Sequence, residues 1–527
     1  MCKDVQYPII YVRGYAMTKS EVNETTADPF CGFNIGSTVY RAATDRSKKA
    51  RKFIFESPVV RLMTDFGYKD VFEDGMDIMD EGWSGAFPQR SIVVYRYYEQ
   101  ASDLLGQGET PDISVFAKGL SDLVLRVKDL VCANPANNTS ADKFRCYLVA
   151  HSMGGLVCRA FLQNPAFGSD TARACVDKVF TYATPHNGID MGGLNVPDWL
   201  TMFGMDTFSR ENMAKYLNVE QYASVDPNGR VDWLPDLGGA GWKFSVDRFF
   251  CMIGTNRGDY DVAMGLSRTF SGHGGDGLVK IENASVWRPA EGGNEAVPSP
   301  RAYAYRSHSG YFGIVNSEES YQNLIRFLFG DVRIDVWANV DDVRLPAKVA
   351  QAAGNKPVNA NYLFETSIAP RGKLWSLTRR KAEEDSAACR NYAALAGADP
   401  TAKSIYLSSV FLGMQWRVNP NSSSLAYSLS LCVRVPEYEI NNRLWLDDHY
   451  EGGALFQDTL VVEAFLDSSG KSVTHIDYAW RSTGQSGHYV VPQDQPNDVL
   501  VLAVPFGNNH TPGINGVLRC FISEWNV

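Results

Sequence analysis

The stretch Phe144-Arg-Cys-Tyr-Leu-Val-Ala-His-Ser152-Met-Gly-Gly-Leu-Val-Cys-Arg-Ala-Phe-Leu162 leaves the chain little choice of fold. Tyr147, Leu148 and Val149 form a short apolar run, the signature of a parallel strand covered on both faces. Leu156, Val157, Ala160 and Phe161 then recur at helical spacing, and Asn164-Pro165 closes the helix. Between the two elements there is room only for a very tight turn, with Ser152 at its corner. The pattern Ala150-x-Ser152-x-Gly154 is one residue away from G-x-S-x-G. Small residues are needed two places either side of such a serine, because its strained backbone draws strand and helix together. A strand-turn-helix with an incidental serine is the plainer alternative.

Strand and helix alternate on both sides of this corner. Tyr7–Val12 is an apolar strand running into Arg13-Gly14-Tyr15, and Ser91–Tyr98 is another. Thr110-Pro111 reads as the start of a helix, with Ile113, Phe116, Leu120, Leu123, Val124, Val127 and Leu130 on one apolar face. Val176–Tyr182 and Arg248–Ile253 continue the series. This order predicts an α/β domain with a doubly wound, mostly parallel sheet over residues 1–330. Residues 17–90 read as an insertion, with a helical piece near Val59–Tyr68. Residues 190–245, with the apolar Trp199, Leu200, Met202, Phe203, Met205 and Phe208, read as a lid or cap, with core packing as the alternative. A closing helix is expected after Asn316 as cap, with Glu319 completing a capping box and Gly330 as the stop. Beyond 331 the texture shifts to short alternating strands, Ser428–Val435, Thr459–Leu466, Val499–Val504 and Val517–Ile522, with one helical piece near Lys381–Ala396. A smaller, mostly antiparallel β-sandwich domain over 331–527 is expected.

With 527 residues the chain exceeds one ordinary core, which fits two domains. A formal net charge of -10 and the lack of a long Lys/Arg run argue against nucleic-acid binding. No window reaches 18 uninterrupted apolar residues, so no transmembrane helix is expected. Met1–Pro8 has no apolar signal core; a cytoplasmic location is the expectation, with export by a signal-less route left open. The ten cysteines form no C-x-x-C pair and several sit within apolar patterns, as free thiols in a reducing compartment do.

A serine hydroxyl needs a base within hydrogen-bond reach, and the base needs a carboxylate to fix its tautomer. In folds of this kind the chain order is serine, acid, histidine. His308, after the last short strand and before the closing helix, is the best base. His186 comes too early, which favours a structural or substrate-lining role, and His273 is only three residues from the candidate acid. Asp276 in Gly-Gly-Asp-Gly-Leu-Val is the best orienting acid, with Asp259 and Asp261 as runners-up and a turn aspartate as the plain alternative. An oxyanion hole needs two aimed N–H donors. Met153 supplies one from its backbone, and Tyr15, after Arg13-Gly14, is the choice for the other.

The Ala150-His-Ser152-Met-Gly-Gly155 motif, the Asp276-Gly-Leu-Val279 element and His308 resemble the bacterial α/β-hydrolase lipases and carboxylesterases. They are also similar to the lipase-like group that includes glycosylphosphatidylinositol-inositol deacylases. Thr184-Pro185-His186-Asn187-Gly188 resembles an element of the same lipases. The likeness covers roughly residues 5–330. It implies a serine ester hydrolase acting through an acyl-enzyme on a small-molecule or lipid ester, with transient contact at a lipid surface. Phospholipase or other lipid deacylase activity is the alternative, and a non-catalytic binding protein on the same scaffold the rival. It implies no cofactor; some such lipases hold a structural calcium near the acid loop, but no residue here specifies one. One departure stands out: those lipases usually carry His-Gly where this chain has Arg13-Gly14.

Overall fold

The computed structural model describes residues 6–14, 38–41, 51–54, 58–70, 78–83, 85–95, 97, 112–189, 209–223, 229–239, 241–257, 274–290, 295–309, 313–440, 448–467, 473–490 and 499–526. They fall into two compact units. One spans Val5–Arg301 and Tyr305–Tyr321; the other holds Ala302–Ala304 and Gln322 onward.

In the first unit six strands run parallel. In chain order they are β1 (Ile9–Val12), β2 (Lys69–Asp70), β3 (Ser91–Tyr95), β4 (Cys146–His151), β5 (Val176–Tyr182) and β6 (Phe249–Gly254). Across the sheet the order is β2-β3-β1-β4-β5-β6, so β4 lies in the interior. Every residue of β4 is buried, which is why that strand is a continuous apolar run rather than an alternating one. Register places Val12 beside Ala150 and Thr181 beside Ala150 on the other side. The loops leaving β1, β4 and β5 therefore emerge together at the carboxyl edge of the sheet, where open parallel sheets place their sites. Residues 17–90, read as an insertion, include a helix Pro58–Phe66 and the sheet strand β2.

Helix α1 (Ile113–Ala133) packs on helix α2 (Met153–Gln163), whose eleven residues are all buried. Each fully buried Leu, Val or Phe there contributes about 1.5–3 kcal/mol, so the helix bearing the corner serine is held rigidly. The cap of α1 is Asp112, whose carboxylate accepts from the Ser114 amide at 2.8 Å; Thr110 and Pro111 lie outside the described residues. The closing helix Glu318–Phe329 is capped one residue later than expected, by Ser317, whose hydroxyl accepts from the Ser320 amide at 3.2 Å.

The second unit holds two antiparallel sheets. One has the order Ser404–Leu412, Val332–Arg344, Gly513–Glu524, Val499–Gly507. The other runs Thr378–Arg380, Val358–Pro370, Ser424–Ile440, Asp448–Leu466, Val473–Trp480, Ser486–Val490. Residues of both sheets contribute to one apolar cluster, including Val336, Phe364, Leu429, Leu460 and Leu518. The 381–396 segment differs from the helical expectation. It is a 3-10 turn Ala382–Glu384, a strand Ala388–Asn391 paired with Asn361–Phe364, and a short helix Tyr392–Ala396. Among the described residues no helix is long and apolar enough to cross a membrane, and all eight described cysteines are free thiols.

Candidate active site

Ser152 sits between β4 and α2 with φ 52° and ψ -127°, a conformation that side-chain-bearing residues rarely adopt. The surrounding sequence explains how such a corner closes. A Cβ on Gly154 would lie 2.0 Å from the Val12 carbonyl oxygen, and one on Gly155 would lie 2.2 Å from Thr184 Oγ1. A Cβ on Gly14 would fall 2.5 Å from the Ser152 Cβ, so the turn after β1 lies directly against the serine. The corner is tied from outside as well: the Ser152 amide donates to the Tyr182 carbonyl at 2.9 Å, and Thr184 Oγ1 donates to the Ser152 carbonyl at 2.8 Å. Gly154→Ala should therefore destabilise the fold by about 3 kcal/mol, the upper end of overpacking costs, because the clash is with backbone that cannot swing aside. A urea midpoint unchanged from wild type would show that the close approach is not required.

His308 and Asp276 converge on this hydroxyl. His308 Nε2 is 2.9 Å from Ser152 Oγ, and His308 Nδ1 is 3.0 Å from Asp276 Oδ2. A carboxylate only accepts, so Nδ1 carries the ring proton and Nε2 offers a lone pair to the serine O–H. Asp276 is fixed by its own turn: its Oδ1 accepts from the amides of Leu278 and Val279 at 3.0 and 2.8 Å. The loops carrying Asp276 and His308 are joined by backbone, with the His308 amide donating to the Asp276 carbonyl at 3.0 Å. Asp276 and His308 are buried, 1% and 2% exposed, so their hydrogen bond is shielded from bulk water.

Met153 is the first residue of α2, and its amide belongs to the first-turn N–H groups that have no intrahelical acceptor. Tyr15, Asp259, Asp261, His273 and the apolar 199–208 piece lie outside the described residues. His186 is not at the hydroxyl: its Nε2 is 3.2 Å from Thr181 Oγ1, and its ring packs edge-on against Phe249.

Two residues at the site carry roles that the sequence reading did not assign. His151, next to the serine, donates from Nε2 to the His308 carbonyl at 2.9 Å, fixing His308 from its backbone side. Arg159, fully buried on α2, donates to the carbonyls of His186, Val231 and Trp233 and to Gln163 Oε1. It pins residues 231–233, in the stretch read as a lid, to helix α2. Burial lowers its pKa to about 10, with Asp232 opposing the fall. The only sequence signals for either were position, one and seven places from Ser152.

Burial also holds His151 and His186 well below the ordinary imidazole value of 6.5, with the neighbouring His308 ring adding to the effect at His151 and the Arg159 guanidinium at His186. The fold resists protonating them, whereas the unfolded chain takes up protons near 6.5. Their stabilising contribution is thus complete above about pH 6.5. Below it stability should fall by about 1.4 kcal/mol per histidine per pH unit, until each group's folded-state pKa is reached. The urea midpoint for loss of Ser152 reactivity should drop between pH 7.5 and 5.5. A midpoint flat across that range contradicts burial of the two rings as neutral groups.

No family model matches the chain, and no curated protein sequence matches it. Among solved structures it is similar to the phospholipase PlaB from Legionella pneumophila, at 12% identity over 85% of this chain and 90% of that one, with a TM-score of 0.32. It is also similar to the Bacillus licheniformis lipase BlEst2 in its propeptide form, at 10% identity over 89% and 96% of the two chains, with a TM-score of 0.31. At these scores neither likeness says what this chain does, and the site must be read from its own geometry.

Proposed function

We propose that this chain is a serine ester hydrolase of the α/β-hydrolase type, carrying a β-sandwich as its second domain. The observation that supports it is the continuous hydrogen-bonded line from Ser152 Oγ through the His308 ring to Asp276, at 2.9 and 3.0 Å, ending on a strained corner at the sheet's carboxyl edge. In this reading Ser152 Oγ attacks the ester carbonyl carbon while His308 Nε2 takes its proton. The negative charge that develops on the carbonyl oxygen is met by the Met153 amide and, we propose, by that of Tyr15. Each such donor stabilises the transition state by roughly 3 kcal/mol. His308 then returns the proton to the departing alcohol oxygen, leaving an acyl ester on Ser152. Water, deprotonated by the same ring, attacks that ester, and the acid leaves with Ser152 restored. Asp276 holds the imidazole and stabilises its protonated form in both halves.

The substrate class we propose is an acyl ester of lipid type, with phospholipid esters as the second choice. A series of p-nitrophenyl esters of increasing acyl length, run beside a phospholipid, tests it. The proposal expects saturable turnover that rises beyond short acyl chains and disappears in Ser152→Ala. Turnover confined to acetate and butyrate would reassign the enzyme to short-chain esters. Equal turnover in the variant would remove the mechanism.

A further inference from the structure

The second unit carries a cluster that ester hydrolysis does not use. His475 and Asp477 are two residues apart on the strand Val473–Trp480, so their side chains leave the same face. His488, on the neighbouring strand Ser486–Val490, pairs directly with Asp477. One nitrogen from each ring and one carboxylate oxygen all lie within 4.8 Å of one another. The ring centroids of the two histidines are 5.1 Å apart, and His488 Nδ1 is 2.5 Å from Asp477 Oδ1.

Two further contacts fix the orientation of the His475 ring. Its ring stacks flat on Phe465, centroids 4.3 Å apart and planes at 8°. Its Nδ1 is 3.1 Å from Thr474 Oγ1, and that hydroxyl donates its own proton to the Phe465 carbonyl. The threonine oxygen therefore accepts, which places the ring proton on Nδ1 and leaves the Nε2 lone pair unprotonated. Metal-binding histidines are held in the same way, by donating their other N–H to a fixed oxygen.

We propose that His475, Asp477 and His488 bind one divalent late transition ion, zinc by preference. Two imidazoles and a carboxylate suit zinc in type and number, with the fourth tetrahedral position left to water. The cation takes the place of the proton between His488 and Asp477, that proton passing to His488 Nε2. Because the ligands come from both strands, the ion clasps the last strand pair in the sheet order, whose terminal strand is only five residues long.

The test is zinc titration of the metal-stripped full chain by calorimetry, with cobalt as a spectroscopic probe. Binding of one zinc per chain is expected, with tetrahedral cobalt absorption bands and a raised melting temperature. His488→Ala and Asp477→Asn should each weaken binding by at least about a hundred-fold, while Thr474→Val, which keeps every ligand, should weaken it roughly 10- to 100-fold. All three positions face solvent, so unchanged circular dichroism should accompany each loss. His449→Ala is the control for the separate Glu437-Glu439-His449 group on the same sheet and should leave zinc binding intact. Wild-type affinity in His488→Ala, loss in His449→Ala instead, or no binding by the native chain would each overturn the proposal.

Discussion

Replacing Ser152 with alanine should lower ester turnover roughly a millionfold while leaving a folded protein. The variant keeps the turn, the helix start and the Met153 amide, but no atom remains to form the acyl bond. What survives is the weak assistance of oriented binding and one or more amide donors to attack by water. The lost Ser152–His308 hydrogen bond is worth only about 1 kcal/mol, so folding is nearly untouched. Ser152→Gly separates chemistry from strain. It should be equally inactive yet about 1 kcal/mol more stable than the alanine variant, since glycine accepts φ 52° without penalty. Urea unfolding of the two variants checks this; an alanine variant as stable as the glycine one would show that the corner stores no strain.

Asp276→Asn should cost about four orders of magnitude in kcat at neutral pH, again with the fold intact. Asparagine can keep an oxygen toward the Leu278 and Val279 amides, which Asp276 Oδ1 now satisfies. Its NH2 group then faces His308 Nδ1 and donates to it. The ring proton is driven to Nε2, where it points at Ser152 Oγ, and the base loses the lone pair it needs. Asp276→Ala should behave differently. It leaves two amides without an acceptor, at about 1–3 kcal/mol each, and should lose stability together with activity. A pH-independent rate near wild type in the asparagine variant would mean that Asp276 does not set the tautomer.

Much of the site was legible because its geometry is forced by local rules. A parallel strand, a corner and a helix leave one place for a reactive serine, and glycines at 14, 154 and 155 answer contacts that no side chain permits. Asp276 and His308 were singled out by chain order and strand ends, and the structure brings both side chains to Ser152. Less legible was what orders them. Nothing in a one-dimensional reading says that His151 reaches the carbonyl of a residue 157 places away, or that Arg159 gathers three carbonyls from two loops.

The misplaced elements have physical reasons. Asn316 and Ser317 are both good caps, and only the backbone decides between them. The alanines of 381–396 favour helix, but pairing of Ala388–Asn391 with a long neighbouring strand overrides propensity. Val332–Val340 alternates buried apolar residues with Arg333, Asp335, Trp337 and Asn339, a period-2 pattern that marks the strand in the sequence itself. Its outward charges are balanced locally, Arg333 to Asp335 at 2.9 Å.

In the proposed mechanism the Ser152 oxygen is a nucleophile made reactive by His308 and Asp276. Exposure of the native chain to a fluorophosphonate, followed by intact mass and peptide mapping, tests it most directly. A single phosphonyl adduct on Ser152 is expected, absent in Ser152→Ala and formed orders of magnitude more slowly in Asp276→Asn. Undiminished labelling of the alanine variant, or a folded wild-type chain that takes no label, would contradict it.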